Sequence, residues 1–290
     1  MKKNNWVYNK INQRQDYILL GGILLCWLIY RLFYFKFGIN NISYNSDSVS
    51  YFAPINIFNG IIDLYRTPVY PYIIKFFEYF SREHFIRNLI LFQQSISFLS
   101  IIPFYFISKR IVKNKYVVSI TTIIYGCLPL LINQNVNINP ECLAIVGSTL
   151  ILFLFVRYID NPTKFNALSI GFFPFVLIML KPTYLILLCI VLAFLIVRII
   201  LFRQEKIFIY WGLIGWFIAV IGVVGYGVMN KKYNGEFVLS KVSLNNSLAN
   251  IVISGAYKLG EDKELINVID TTKQKGYYVS VFILNNESVY

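Results

Sequence analysis

Thr183-Tyr-Leu-Ile-Leu-Leu-Cys-Ile-Val-Leu-Ala-Phe-Leu-Ile-Val-Arg-Ile-Ile-Leu-Phe202 is apolar almost from end to end, with Arg198 its one charge. At ~1.5 Å of rise per residue such a run is about 30 Å long as a helix, which is the thickness of a bilayer's hydrocarbon core. Six comparable runs lie around it, at 17–37, 88–107, 116–132, 141–157, 166–180 and 207–229. The whole chain is 57% hydrophobic and 18% aromatic, with a mean hydropathy of +0.59. These values belong to membrane proteins. The expected fold is an all-α polytopic membrane protein with about seven transmembrane helices. It divides into a lead at 1–16, a transmembrane region at 17–229 and a segment at 230–290.

A net charge of +13 invites a nucleic-acid reading, so the placement of the charge decides. With the N-terminus in the cytoplasm, the inside segments are 1–16, 108–115, 157–166 and 198–206. They hold thirteen Lys and Arg against Asp16, Asp160 and Glu205. The outside loop 38–87 balances Arg66, Lys75, Arg82 and Arg87 with Asp47, Asp63, Glu78 and Glu83. This is the positive-inside bias of a plasma-membrane protein, with its last segment outside, and it accounts for the basic pI of 9.5 without nucleic acid. The run at 17–37 lacks a small-residue cleavage site, so a retained helix is expected. Cys26, Cys127, Cys142 and Cys189 all fall in or beside apolar runs without metal-ligand spacing, and read as core thiols.

Between the first two runs lies a polar island: Tyr44-Asn-Ser-Asp47-Ser-Val-Ser-Tyr51, then Gly60-Ile-Ile-Asp63-Leu-Tyr-Arg66-Thr-Pro68-Val-Tyr-Pro71-Tyr72. Apolar residues from Val49 to Phe58 and from Ile73 to Phe80 predict two short amphipathic helices lying in the membrane interface. Pro54 bends the first and Asn59-Gly60 stops it. Arg31 and Lys36, in the outer half of the first span, are expected to snorkel to the headgroups. The stripe Gln93, Gln94, Ser95, Ser97 and Ser100 reads as helix-packing polarity. Residues 261–274 predict a helix and Tyr277–Leu284 a strand, which makes the last segment a small mixed tail.

The outside loops gather Asp47, Asp63, Arg66, Glu141 and Lys181. Carboxylates serve as general bases or metal ligands, and cations neutralise a phosphate leaving group. Each residue also has a plainer role. Asp47 fits a helix cap, Asp63 an i,i+3 pair with Arg66, Glu141 a helix-dipole partner and Lys181 a topology anchor. His84 stands without a second ligand and reads as a solvated residue.

The order Asp47-Ser-x-x-Tyr51, Gly60, Arg66-Thr-Pro-Val-Tyr-Pro71 resembles the first outside loop of the GT-C membrane glycosyltransferases. It looks most like the glycosyltransferase family 39 relatives, the protein O-mannosyltransferases and lipid A aminoarabinose transferases. Asn139-Pro-Glu141, Leu180-Lys181-Pro182 and Asn234-Gly235-Glu-Phe-Val-Leu-Ser240 extend the resemblance over residues 17–245. It implies sugar transfer from a polyprenyl-phosphate-linked donor to a lipid, glycan or protein acceptor at the outer face of the membrane, with inversion. By the same resemblance Asp47 is the general base, Arg66 and Lys181 bind the donor phosphate, and Glu141 is a supporting acid. Asp63 is a further acid. A divalent cation at Asp47 and Glu141 is compatible with this, but two carboxylates do not identify an ion. Family members usually continue past the point where this sequence ends. An inactive, shortened member that serves as a structural or lipid-binding partner is therefore one alternative, and a transporter of lipid-linked substrates is another.

Overall fold

The computed structural model describes residues 18–25, 27–32, 46–53, 55–202, 204 and 206–242, with isolated residues at 258, 266, 267 and 269–271. The described chain is all-α. Its helices are α1 (Ile18–Leu32), α2 (Ser46–Ser50), α3 (Val69–Phe80), α4 (Phe85–Leu99), α5 (Ile101–Ile111) and α6 (Lys115–Cys127). They continue with α7 (Pro129–Val136), α8 (Glu141–Asp160), α9 (Lys164–Leu180), α10 (Ile186–Leu201) and α11 (Lys206–Asn234). The expected strand at Tyr277–Leu284 lies outside the described residues, and of 261–274 only 266, 267 and 269–271 are described, all helical.

Among the described residues four stretches are long and apolar enough to cross a membrane: Phe85–Ile111, Glu141–Asp160, Pro182–Leu201 and Lys206–Asn234. They coincide with the second, fourth, sixth and seventh apolar runs. The first and fifth runs form the shorter apolar helices α1 and α9. The third run departs from expectation. Pro129 has no N–H for a helix interior, so the chain breaks at Leu128 and the run is divided between α6 and α7 instead of forming one continuous helix. A milder break at Ser100 separates α4 from α5, three residues before Pro103, whose ring crowds the carbonyl of Leu99.

The bundle shows an apolar outside, as lipid requires. Ile186, Ile196 and Ile200 on α10 and Phe217 and Ile221 on α11 are all largely exposed. Cys189 is exposed, whereas Cys142 is buried and Cys127 intermediate; of these three described thiols, Cys142 is the fully buried one. Cys26 lies outside the described residues. The two ends of α8 are polar and roughly 28 Å apart at helical rise. Glu141 opens one end beside Lys181, and Asp160 closes the other in an ion pair with Arg110 at 2.6 Å.

Helices α9 and α11 cross with their backbones in close approach. A Cβ on Gly171 would strike the Gly212 carbonyl and the Trp216 N–H, and one on Gly215 would strike the Leu168 carbonyl and sit 3.0 Å from the Phe172 nitrogen. Without a hydrophobic force between helices in lipid, such backbone approach supplies the dispersion contact that joins them. Gly171→Leu is therefore expected to cost ~3 kcal/mol, the top of the usual overpacking range, and to lower the melting midpoint in detergent. An unchanged midpoint would mean that the crossing relaxes freely.

Arg31 does not snorkel. It is buried, with its guanidinium over the Trp27 ring at 4.3 Å. Nη1 donates to Gln94 Oε1, and Nη2 donates to Ser97 Oγ at 2.9 Å. The buried Asn135, turned so that its amide oxygen faces the cation, accepts from Nη1 at 2.6 Å. The polar stripe of α4 thus packs helices, as its sequence suggested, but around a charge. Buried acceptors on α4 and α7 hold the guanidinium inside the bundle. Lys36 is outside the described residues.

Candidate functional site

The loop between α1 and α4 builds one wall of the site. The first expected amphipathic helix is not continuous. α2 is five residues long, and a 3-10 turn follows at Ile57–Asn59. Between them comes Pro54, which disfavours helix at Ala53 and has no N–H to offer. Gly60, at φ +73°, closes the turn by donating to the Ile57 carbonyl. An added Cβ there would also collide with the Tyr233 ring. The second expected helix is α3, which buries Tyr70, Pro71 and Ile74 and leaves Phe76, Tyr79 and Phe80 exposed.

Arg66 leaves this loop toward α2. Its Nε donates to Ser50 Oγ at 2.7 Å, its Nη1 to Tyr51 Oη at 3.0 Å, and its guanidinium lies 4.3 Å from the Tyr51 ring centre. Tyr51 meets Tyr70 edge-on at 5.1 Å. The Tyr70 hydroxyl donates to Gln93 Oε1 at 2.7 Å, and burial raises its pKa, so the phenol stays neutral. The Gln93 amide then donates at 3.0 Å to the carbonyls of both Asn135 and Asn137. One buried side chain thereby fixes α3 against the turn that leads into Glu141.

Glu141 is the first residue of α8, where a carboxylate is favoured by the helix dipole. Lys181 caps the far end of α9, its N–H held by the Leu177 carbonyl. The two meet, Lys181 Nζ to Glu141 Oε1, at 2.9 Å. Glu141 Oε2 is buried without a hydrogen-bond partner. Arg66, Glu141 and Lys181 line a single cavity of about 150 Å³, together with Tyr51, Thr67 and Pro182.

A strap after α11 supplies the remaining wall, with Ser240 and Val242 lining the cavity. Gly235, at φ +83°, turns the chain back. Ser240 Oγ donates to the Tyr65 carbonyl at 2.6 Å, and the Lys241 N–H donates to the Leu64 carbonyl at 2.8 Å. Asn234 Nδ2 reaches the Ile62 carbonyl at 3.1 Å. These bonds explain the polar residues of the Asn234–Ser240 stretch: they dock the strap on the loop.

No family model, curated protein or solved structure matches the chain. The site therefore rests on its own geometry. Of the five residues picked from sequence, three converge on the cavity. Asp63 does not line it. Its Oδ1 accepts the Tyr65 N–H at 2.7 Å, and burial raises its pKa despite that bond and the charge of Arg66. The expected i,i+3 ion pair is absent among the described contacts, because Arg66 is directed at Ser50 and Tyr51. Asp47 is the second residue of α2, and its side chain lies outside the described part of the structure. The same short helix brings Ser50 to Arg66. Among the described residues no cluster of three His, Cys, Asp or Glu could hold a metal ion. His84 is exposed, ahead of α4.

Proposed function

We propose that the protein is an integral membrane glycosyltransferase of the GT-C type, taking a sugar from a polyprenyl-phosphate donor at the outer face of the plasma membrane. The observation that carries the reading is the joint lining of one cavity by Arg66, Lys181 and Glu141 from three separate segments. Two cations suit a phosphodiester, and a guanidinium already oriented by Ser50 and Tyr51 loses little freedom on binding it. Asp47 takes the proton of the acceptor hydroxyl or amine as that group attacks the anomeric carbon. The carbon–oxygen bond to phosphate breaks, its electron pair stays on the phosphate oxygen, and Arg66 and Lys181 meet the developing charge. The configuration inverts.

In this reading the chain crosses the bilayer about seven times, with the cavity outside and the Arg110–Asp160 end in the cytoplasm. A cysteine at exposed Asn59, in a background free of native cysteine, is expected to react with an impermeant thiol reagent in intact cells, and one at exposed Asn114 is not. The opposite labelling would invert the orientation and remove the donor argument.

Arg66→Ala and Lys181→Ala are each expected to weaken donor binding by ~10–150-fold, the worth of a charge-assisted contact, with protein abundance unchanged. Identical donor titrations in wild type and both variants would leave these residues as topology anchors. The function itself is tested by comparing lipid-linked sugars and surface glycans in cells with and without the gene. A polyprenyl-phosphate sugar should accumulate on deletion, and unaltered pools of both would overturn the assignment.

A further inference from the structure

We propose that Glu141 is a built-in counter-anion for product release: it weakens a doubly charged phosphate monoester at Lys181 more than the singly charged diester that precedes it. The inference rests on the donor reading above and assigns a task to a residue that this reading leaves as a mere support. Glu141 Oε1 holds Lys181 Nζ at 2.9 Å, and both side chains line the cavity with Arg66. Neither backbone can retreat. Cys142, Leu143 and Ala144, which follow Glu141, are buried, and the Lys181 N–H is tied to α9 through the Leu177 carbonyl. Glu141 Oε2 is buried with no partner, so this carboxylate is not spread over several donors. A phosphate that reaches Lys181 arrives beside a fixed negative charge.

The consequence follows from the charges. A glycosyl phosphodiester carries one negative charge. When the sugar leaves, the electron pair of the broken bond stays on the phosphate oxygen, and the monoester that remains carries between −1.5 and −2 near neutral pH. Attraction to two cations grows with ligand charge, so Arg66 and Lys181 alone would hold product better than donor. Release then becomes the slow step, as it is in many enzymes. Repulsion from Glu141 grows with ligand charge in the same way and falls mainly on the product. Among the described residues lining the cavity, Glu141 is the anion set against Arg66 and Lys181.

The test uses the purified full-length chain in nanodiscs of neutral lipid. A polyprenyl monophosphate and its methyl phosphodiester serve as probes at pH 8, where the monoester is doubly charged. Glu141→Gln and Glu141→Ala are expected to bind the monoester on the order of tenfold tighter than wild type and the diester roughly threefold tighter. Glu141→Asp, which keeps the charge, should keep the wild-type ratio between the two probes. An unmoved ratio, or weaker monoester binding, in the two neutral variants overturns the proposal. If Lys181→Ala still weakens both probes in that case, the donor reading stands without it. Failure of wild type to bind either phosphate would sink both together. Thermal melting accompanies each titration, and collapse of both neutral variants beside an intact Glu141→Asp would mark the pair as structural and count against the proposal.

Discussion

Asp47→Asn is expected to insert and accumulate like wild type and to lose at least ~100-fold in sugar transfer, because general-base catalysis typically contributes ~10²–10⁴-fold. An amide cannot take a proton near neutral pH, and the substitution changes little else. Asp47 stands inside the first turn of α2. If its carboxylate only complemented the helix dipole there, losing it would cost ~0.3–1 kcal/mol of stability and nothing in turnover. The two roles therefore separate in one experiment that measures transfer rate and melting midpoint on the same preparation. Asp63→Asn is the control. Its side-chain oxygen can still accept the Tyr65 N–H, and burial already disfavours its charge, so transfer should fall much less. Near-normal transfer by Asp47→Asn would remove the catalytic assignment.

Three of the charged residues picked out by sequence line one cavity, and most of the apolar runs are helices. Charge placement put Arg66, Glu141 and Lys181 at one end of the bundle because ionic side chains are excluded from the apolar middle, which is a constraint visible in one dimension. The same reading grouped Asp63 with them. The turn of the Asp63 carboxylate back onto the Tyr65 N–H of its own loop is a local feature, and Asp followed by a bend is a known Asx signature. The third apolar run reads as one span because hydropathy is blind to Pro129. Weighing the proline would have split it into α6 and α7. Gly212-Leu-Ile-Gly215, with Gly171 opposite, carried the signal for the α9–α11 crossing, since small residues mark close helix contact in lipid. The strap at 235–242, quoted above only for its resemblance, carries no small-residue signal for where it docks. Its role depends on Ser240 and Asn234 finding carbonyls more than 170 positions away along the chain.

Gln94→Leu is expected to destabilise the bundle by about 3 kcal/mol, and adding Arg31→Met should recover most of that loss. Arg31 is a cation among apolar helices, and among the described residues no carboxylate stands within ion-pair distance of it. Neutral oxygens of Gln94, Ser97 and Asn135 take the place of water around its guanidinium. Removing Gln94 leaves the charge buried with fewer acceptors, and a buried polar group without its partner costs more than the hydrogen bond was worth. Replacing the charge by a thioether of similar length removes what Gln94 was there to solvate. The pair must therefore be strongly non-additive, with a coupling well above the ~0.3–0.5 kcal/mol seen for independent sites. Melting midpoints of wild type, both single variants and the double variant in one detergent measure it. Simple addition of the two single losses would mean that the contact between α1 and α4 rests on packing around Trp27 alone, and that Arg31 draws its solvation from elsewhere.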